Sequence, residues 1–312
     1  MLDDIPTDGK GNLVLPPLIN AHTHCADAGV RPAPGMSLED LVAPPDGLKH
    51  RYLRETPRDV LVSDMRSFSE LSHRNGIRAF VDFRENGVEG ARMLREASGD
   101  AFIMGRPVSP EFNPEEVETL LKIADGIGLP SLTDCGREYT ERCAEAARRC
   151  GKSFAIHASE RVREDIEFII TLGPAFVVHM NQATDSDLRM CADADVPVVV
   201  CPRSNRYFGM VPPVGRMLDA GVRIALGTDN AMLCPSADIM DDFRLFNDIL
   251  RGQGGDTGES FKSLIKNGKK LLNLKSIIVG QTDKKADLLV FLTDAESLLR
   301  GDTPEVVRIS PS

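Results

Sequence analysis

The chain has 312 residues, of which 42% are hydrophobic and 27% are charged, values close to those of ordinary globular proteins. This composition excludes disordered, collagen-like and coiled-coil proteins. The formal net charge of −10 argues against nucleic-acid polymers and anionic membranes as partners. No apolar run approaches the ~18–20 residues that cross a bilayer, and the acidic start MLDDIP does not predict a secretory signal.

Seven cysteines are scattered along the chain, in an odd number and without a C-x-x-C pair. This pattern favours reduced thiols over a disulfide framework, and most of the cysteines are expected to be small buried side chains. We therefore expect a cytoplasmic protein.

Short β-rich runs alternate with helical patterns at similar intervals, each long enough for one strand, one helix and two loops. The predicted strands are 13–21, 77–83, 101–106, 126–131, 153–157, 175–179, 196–201 and 223–227. Continuous apolar runs such as AFVVH and VPVVVC are typical of parallel strands that are covered on both faces. Eight such units predict a (β/α)₈ TIM barrel, with an open doubly wound sheet as the alternative.

The first connection interrupts this alternation, because residues 25–55 form a long, proline-rich segment. A connection of this length is usually functional or disordered. Since it follows the first strand, we expect it to cover the mouth of the barrel.

A second irregular region follows residue 250. A glycine-rich connector precedes a predicted helix at 260–272 and short strands at 286–291 and 306–309. The expected organisation is a barrel and two terminal segments that form an extra helix and a small, rudimentary β appendage: residues 12–250, and residues 1–11 with 251–312.

Four of the six histidines follow predicted strand ends, and an aspartate follows the last strand: His22, His24, His157, His179 and Asp229. A barrel gathers the C-terminal ends of its strands on one face. His22 and His24 are two residues apart, so on an extended strand their imidazoles point the same way. A third imidazole and a carboxylate would complete a site that suits Zn²⁺ and tolerates Fe²⁺. Each histidine alone is more often an ordinary core or surface residue, as we expect for His50 and His73.

Five segments in this order resemble the signature segments of the amidohydrolase superfamily: LPPLINAHTH, FAIHASE, FVVHM, VVVCPRSN and IALGTDN. The resemblance spans roughly residues 12–235. It is nearer to the deaminase branch, which includes adenosine, guanine and cytosine deaminases and the triazine hydrolases. Members of that branch carry H-x-x-E on the fifth strand, which is matched here by His157 and Glu160. Many of them also carry C-P-x-S-N, here residues 201–205.

The resemblance implies that one divalent metal ion per chain is held by four side chains: His22, His24, His157 and Asp229. It implies that His179 orients or activates a metal-bound water, that Asp229 also takes a proton, and that Glu160 shuttles protons to the substrate. Members with two metals carry a carboxylated lysine on the fourth strand. The matching stretch, GIGLPSLTD, contains no lysine, so we expect a mononuclear site with Zn²⁺ ahead of Fe²⁺.

Loops at the ligand face are expected to contact the substrate. The candidates are Arg203, Ser204, Asn205 and Asn181, followed by Gln182, Arg84 and Glu85. Arg203 could bind a carboxylate or phosphate with two hydrogen bonds, or it could be an ordinary surface arginine.

The function expected first is hydrolysis of a carbon–nitrogen bond, by deamination of a purine, pyrimidine, nucleoside or triazine-like ring. A second possibility is a cyclic amidohydrolase or a chlorohydrolase-type enzyme. A third, of another class, is a barrel that binds a metal or ligand without turnover. The expected partner is a small heterocyclic substrate, and assembly into a homo-oligomer is compatible with the sequence.

Overall fold

The computed structural model describes residues 7–42, 46–271, 288–300 and 306–309. At its centre is a sheet whose strands lie side by side in chain order. These strands are β2 Leu18–His24, β3 Ile77–Arg84, β4 Ala101–Gly105, β5 Gly126–Leu129, β6 Ser153–Ala158, β7 Phe176–His179, β8 Val198–Val200, β9 Ile224–Leu226 and β10 Asp229–Asn230.

Every neighbouring pair in this sheet is parallel. The short strand β10 continues from β9 and pairs with β2, with Asp229 opposite Thr23 and Asn230 opposite His24. The sheet therefore returns to its first strand. This closure confirms the predicted (β/α)₈ barrel and corrects the alternative of an open sheet.

Helices connect or flank the strands. They are α1 Leu38–Val42, α2 Leu48–Glu55, α3 Arg58–Arg74, α4 Gly87–Ala97, α5 Pro114–Leu121, α6 Leu132–Cys135, α7 Arg137–Arg149, α8 Ile166–Thr171, α9 Asp185–Asp193, α10 Pro202–Tyr207, α11 Val214–Asp219, α12 Ile239–Gly252, α13 Gly268–Leu271 and α14 Ala295–Arg300. Within the described ranges, none of them combines the length and the apolar character that crossing a bilayer requires.

The continuous apolar strands are buried on both faces, as their sequences predict. In β8, Val199 belongs to a cluster built from the inward-facing residues of the barrel strands. Val198 and Val200 belong to the larger cluster between the strands and the helices. Successive side chains of a strand point to opposite faces, so all three must be apolar when both faces are covered.

The predicted first strand, 13–21, is two strands. β1, Leu13–Leu15, ends at Pro16 and Pro17, which have no backbone N–H to donate to a ladder. β1 pairs antiparallel with β11, Leu288–Phe291, which pairs antiparallel with β12, Val306–Ile309. A three-stranded appendage thus lies beside the barrel. Its N-terminal strand begins at Leu13, later than the segment 1–11 expected to supply it, and the division of the chain into 1–11, 12–250 and 251–312 stays a prediction.

The connection 25–55 is partly helical, with a 3₁₀ turn at Cys25–Asp27 before α1 and α2. Leu38, Val42 and His50 from this connection line the cavity at the barrel mouth, as expected. The helix predicted at 260–272 is a π-helical stretch, Lys262–Asn267, that continues into α13. Residue 272 and the first two residues of the predicted strand 286–291 lie outside the described residues.

Candidate metal and active site

The barrel brings the five predicted side chains to one mouth. His22 and His24 lie in the last three residues of β2, and His157 is the second-last residue of β6. His179 is the last residue of β7, and Asp229 is the first residue of β10. The carboxyl ends of parallel strands meet on one face of a barrel, so residues far apart in the chain become neighbours there. His22 is 0% exposed and Asp229 is 3% exposed, so the cluster is shielded from bulk water.

The backbone turns sharply where two of these strands end. His179, Met180 and Asp229 have φ angles of 78°, 59° and 61°. A non-glycine residue in this left-handed region is strained, and such strain collects at functional sites. Here the turn directs the side chains of His179 and Asp229 into the mouth, where they meet the histidines of β2.

Four candidate ligand atoms converge at the mouth. The Nε2 atoms of His22 and His157 are 3.2 Å apart. Asp229 Oδ1 lies 3.4 Å from His22 Nε2 and 3.6 Å from His24 Nε2. Ligands at about 2.0–2.1 Å from a tetrahedral Zn²⁺ are ~3.4 Å from one another. The spacing therefore fits one divalent cation held by the three histidines and Asp229.

In His24 and His157, the hydrogen bond of Nδ1 leaves the lone pair of Nε2 available to a metal ion between the candidate ligands. His157 Nδ1 is 2.9 Å from the Leu129 carbonyl, and His24 Nδ1 is 3.0 Å from the Phe83 carbonyl. A carbonyl only accepts, so each Nδ1 carries the proton and each Nε2 is bare. His22 differs, because its buried Nδ1 has no hydrogen-bond partner among the described residues. Unprotonated imidazole nitrogens around a carboxylate offer the electron pairs that bind a metal cation.

Burial favours the neutral form of His22 and His157, which is the form that binds a metal. It lowers the pKa of His22 to about 4, against the opposing effect of Asp229. It also lowers the pKa of His157 well below its ordinary value, with His22 and His179 contributing. Deprotonated ligands are a condition of metal binding, so the site is ready at neutral pH.

Two side chains orient the carboxylate of Asp229. Ser204 Oγ donates to Oδ2 at 2.6 Å, and Asn230 Nδ2 donates to Oδ1 at 3.0 Å. Burial alone would raise the pKa of Asp229, but the hydrogen bond to His22 holds it well below the usual range. Asp229 is therefore an anion fixed in one orientation.

His179 and Glu160 lie beside the ligand cluster. His179 Nε2 is 3.5 Å from Glu160 Oε1 and 4.0 Å from Asp229 Oδ2. Asn205 Nδ2 is 3.2 Å from His179 Nδ1, so Asn205 donates there and leaves the imidazole proton on Nε2. Burial first, and the charge of Asp229 second, raise the pKa of the Glu160 carboxyl to about 8.

A second set of possible ligands, among the described residues, joins His179 and Asp229 to Cys201. Burial, followed by the charge of Asp229, raises the pKa of the Cys201 thiol well above its ordinary value. The thiolate, not the thiol, binds metals. Burial therefore favours the thiol form of Cys201, which is not the form that binds a metal.

The mouth opens into a cavity of about 590 Å³, a size typical of small-molecule sites. His24, His157, His179, Glu160 and Asp229 line it. None of the four residues predicted first to contact the substrate is among the lining residues of the described chain: Arg203, Ser204, Asn205 and Asn181.

These four residues have other partners in the described structure, and their contact with a substrate stays a prediction. Ser204 and Asn205 hold Asp229 and His179. Asn181 Nδ2 contacts the Met210 sulfur at 3.6 Å, and its buried Oδ1 has no hydrogen-bond partner within the described ranges.

Arg203 is held by acids of α12 instead of facing the cavity. Its Nε donates to Asp242 Oδ2 at 2.8 Å, and its Nη1 donates to Asp241 Oδ2 at 2.9 Å. The remaining donors bond the Ser236 hydroxyl and the Asp238 carbonyl. With its guanidinium fully engaged, Arg203 stabilises the α10–α12 contact and is not available to a substrate anion.

The sequence interpretation missed four basic residues that line the cavity: Lys49, His50, Arg106 and Arg161. Arg106, directly after β4, lines it, and its guanidinium has no hydrogen bond or ion pair to any residue in the described part of the chain. His50, expected to be an ordinary residue, also lines it, with Nε2 3.1 Å from the Val42 carbonyl. The position of Arg106 after a strand end was the one available signal. His73 lies on α3 beside Asp100, away from the site.

The Amidohydrolase family model matches residues 13–310, and the chain belongs to this family. It is therefore an enzyme, a hydrolase of carbon–nitrogen bonds, as the signature segments predicted. The chain is 33% identical over 269 residues to a protein of Methanothermobacter thermautotrophicus named as a candidate aminohydrolase, a match that covers 78% of this chain and 70% of that protein. Across the first curated relatives, the chain spans between 64% and 70% of their length.

More distant similarity extends to named deaminases. The chain is 26% identical over 339 residues to the 5-methylthioadenosine/S-adenosylhomocysteine deaminase of Haloarcula marismortui, which covers 95% of this chain and 76% of that protein. The structure superposes on an adenosine deaminase from Xanthomonas campestris with bound zinc, with a TM-score of 0.78 and 17% identity. That match covers 94% of this chain and 77% of the other, and it shows the shared fold.

Proposed function

We propose that the protein is a mononuclear, metal-dependent deaminase that replaces the amino group of a small heterocycle with oxygen from water. The observation that carries the proposal is the position of Glu160. This carboxyl lines the cavity beside the ligand cluster, 3.5 Å from His179 Nε2, and is not itself among the converging ligand atoms. A carboxylic acid at this place can supply the protons that deamination needs.

The proposed ligands of the metal are His22, His24, His157 and Asp229. A divalent ion bound by them would lower the pKa of a water molecule towards ~7 and so supply hydroxide at neutral pH. Zn²⁺ suits three nitrogens and one carboxylate, and Fe²⁺ is the second candidate.

Glu160 performs the proton transfers to the substrate. Water adds its oxygen to the ring carbon that bears the amino group, and the adjacent ring nitrogen gains a proton. The amino group then gains a proton and leaves as ammonia, and the ring carbon keeps the oxygen. The raised pKa of Glu160 favours the protonated form that gives the first proton. The carboxylate left behind can accept a proton from water and deliver it to the leaving amine.

His179 and Asp229 act on the water side of the reaction. Asp229 Oδ2 and His179 Nε2 are 4.0 Å apart, so one water molecule can contact both. The carboxylate can accept a proton there, and the imidazole N–H can donate to the oxygen. Ser204 and Asn205 fix the orientation of these two groups from behind.

The substrate class is a small amino-substituted ring. The curated deaminase relatives favour a purine nucleoside or a related base, and a cavity of about 590 Å³ accommodates a ligand of that size. The guanidinium of Arg106 has no partner among the described residues and so favours a substrate that carries a carboxylate or phosphate group.

The test is a coupled ammonia assay with Zn²⁺-loaded protein across purine nucleosides, free bases, pterins and triazines, with identification of the product. The Glu160→Gln variant is the negative control, and Glu167→Gln, on the exposed face of α8, is the matched control. We expect ammonia release by the wild-type protein and by Glu167→Gln. A substrate that opens its ring without releasing ammonia would overturn deamination and leave the carbon–nitrogen hydrolase standing.

A further inference from the structure

Lys49 reaches the proposed metal site from α2, outside the barrel strands. Its side chain is 4% exposed, and a lysine is seldom buried so fully unless its charge is paired. Nζ lies 2.5 Å from Glu85 Oε1 and donates to Asn230 Oδ1 at 3.1 Å. The ammonium group thus has two partners, one from the end of β3 and one from β10.

Each of these partners contacts a proposed metal ligand. Glu85 Oε1 is 2.8 Å from His24 Nδ1, so it accepts the proton of that imidazole together with the Phe83 carbonyl. Asn230 Nδ2 donates to Asp229 Oδ1 at 3.0 Å. Through one intervening side chain on each side, Lys49 is connected to two of the four ligands.

The geometry points to Lys49 as a positioning residue that couples α2 to the metal site. By holding Glu85 and Asn230, it fixes the direction in which His24 and Asp229 present their electron pairs. The inference rests on the proposed metal site. Because coupling between two sites is reciprocal, metal bound at those ligands must also favour the docking of α2 over the mouth.

Other charged groups lie around Lys49 and keep partial charge pairing when Lys49 is replaced. Glu85 Oε2 is 2.5 Å from Arg84 Nη2, so Glu85 keeps a cationic partner without Lys49. The charge of Lys49 also interacts with the buried carboxyl of Asp27. Asp27 Oδ1 accepts a hydrogen bond from the Met232 backbone N–H at 3.0 Å. Replacing Lys49 removes one positive charge, and the ion pair between Arg84 and Glu85 stays.

The experiment compares the full-length wild-type chain with Lys49→Met, which keeps the length of the side chain and removes its charge. Zn²⁺ affinity is measured by chelator competition, and hydrogen exchange of α2 is measured without metal and with Zn²⁺. Arg51→Met, an exposed position on the same helix, is the matched control. Loss of a group that supports a ligand typically costs about 10–100-fold in metal affinity. We expect that loss in Lys49→Met, together with loss of the Zn²⁺-dependent slowing of exchange in α2.

A Lys49→Met protein with unchanged affinity and unchanged Zn²⁺-dependent exchange would overturn the coupling. A second comparison serves if this variant does not fold. Lys49→Gln, which removes the charge but keeps a group that can donate to Asn230 and Glu85, is then measured in its place, with the same loss expected, and Zn²⁺ affinity and α2 exchange equal to those of wild-type protein would contradict the inference. Wild-type protein that binds no Zn²⁺ would instead contradict the proposed function itself.

Discussion

The hydroxyl of Ser204 donates a 2.6 Å hydrogen bond to Asp229 Oδ2, in the interior of the barrel mouth. Ser204 lies at the start of α10 and is completely buried, so water cannot replace this donor. This hydrogen bond holds the carboxylate of Asp229, a proposed metal ligand, in one orientation.

Replacement of Ser204 by alanine should therefore weaken metal binding by about 10–100-fold, since it removes an orienting partner of a ligand. Chelator competition with Zn²⁺ measures the effect. Ser186→Ala, at an exposed position on α9, should leave the affinity unchanged. Equal affinity in Ser204→Ala and wild-type protein would show that Asp229 is oriented without this hydroxyl, or is not a ligand.

The ligand assignment predicts metal content directly. Protein purified without chelators should hold about one Zn²⁺ or Fe²⁺ per chain by elemental analysis. His157→Ala should lower that content, because it removes one of the nitrogen donors, whereas His73→Ala, on α3, should not. Two tightly held metals per wild-type chain would contradict the mononuclear assignment.

Arg106 should control affinity for anionic substrates. A hydrogen bond to a charged group is worth about 1.5–3 kcal/mol, so Arg106→Met should raise KM by roughly 10–100-fold for a substrate with a carboxylate or phosphate. KM for an uncharged analogue should change little. Arg189→Met, exposed on α9, is the control. Identical KM changes for charged and uncharged substrates would remove Arg106 from substrate recognition.

The protonation of Glu160 predicts the alkaline side of the pH profile. Its pKa is raised to about 8, so the protonated, active form is present below that value and is lost as the pH rises through it. A bound divalent cation lowers this pKa, because it favours the carboxylate. We therefore expect kcat/KM to fall with rising pH, with the midpoint of the fall at about pH 8 or at a lower pH. A profile that still rises above that pH would contradict the role of Glu160 as the acid.

The barrel and the candidate ligands could be predicted from the sequence because both depend on local signals. Apolar runs mark the strands, and each histidine follows a strand end, so the topology of a closed parallel sheet brings them together. The division of the first strand was missed, although Pro16 and Pro17 mark it, since the apolar run continues on both sides of them.

Most of the charged residues that line the cavity could not be predicted in the same way, although Glu85 was among the sequence candidates. Arg203 follows a strand end like Arg106, but its acid partners, Asp241 and Asp242, come from a helix much later in the chain. Lys49 belongs to a connection without a periodic sequence pattern. Its partners are Glu85, directly after β3, and Asn230, on β10. Which cation remains unpaired depends on such non-local contacts.

The central claim is the division of labour between four ligands and one proton-carrying acid, and Glu160→Gln tests it most directly. Bound metal and ammonia release are measured on the same preparation, beside wild-type protein and Glu167→Gln. We expect about one metal per chain in wild-type protein, Glu160→Gln and Glu167→Gln. Turnover of Glu160→Gln should be reduced by ~10²–10⁴, the usual contribution of general acid–base catalysis. A Glu160→Gln protein that has lost its metal, or that turns over at the wild-type rate, would contradict the central claim.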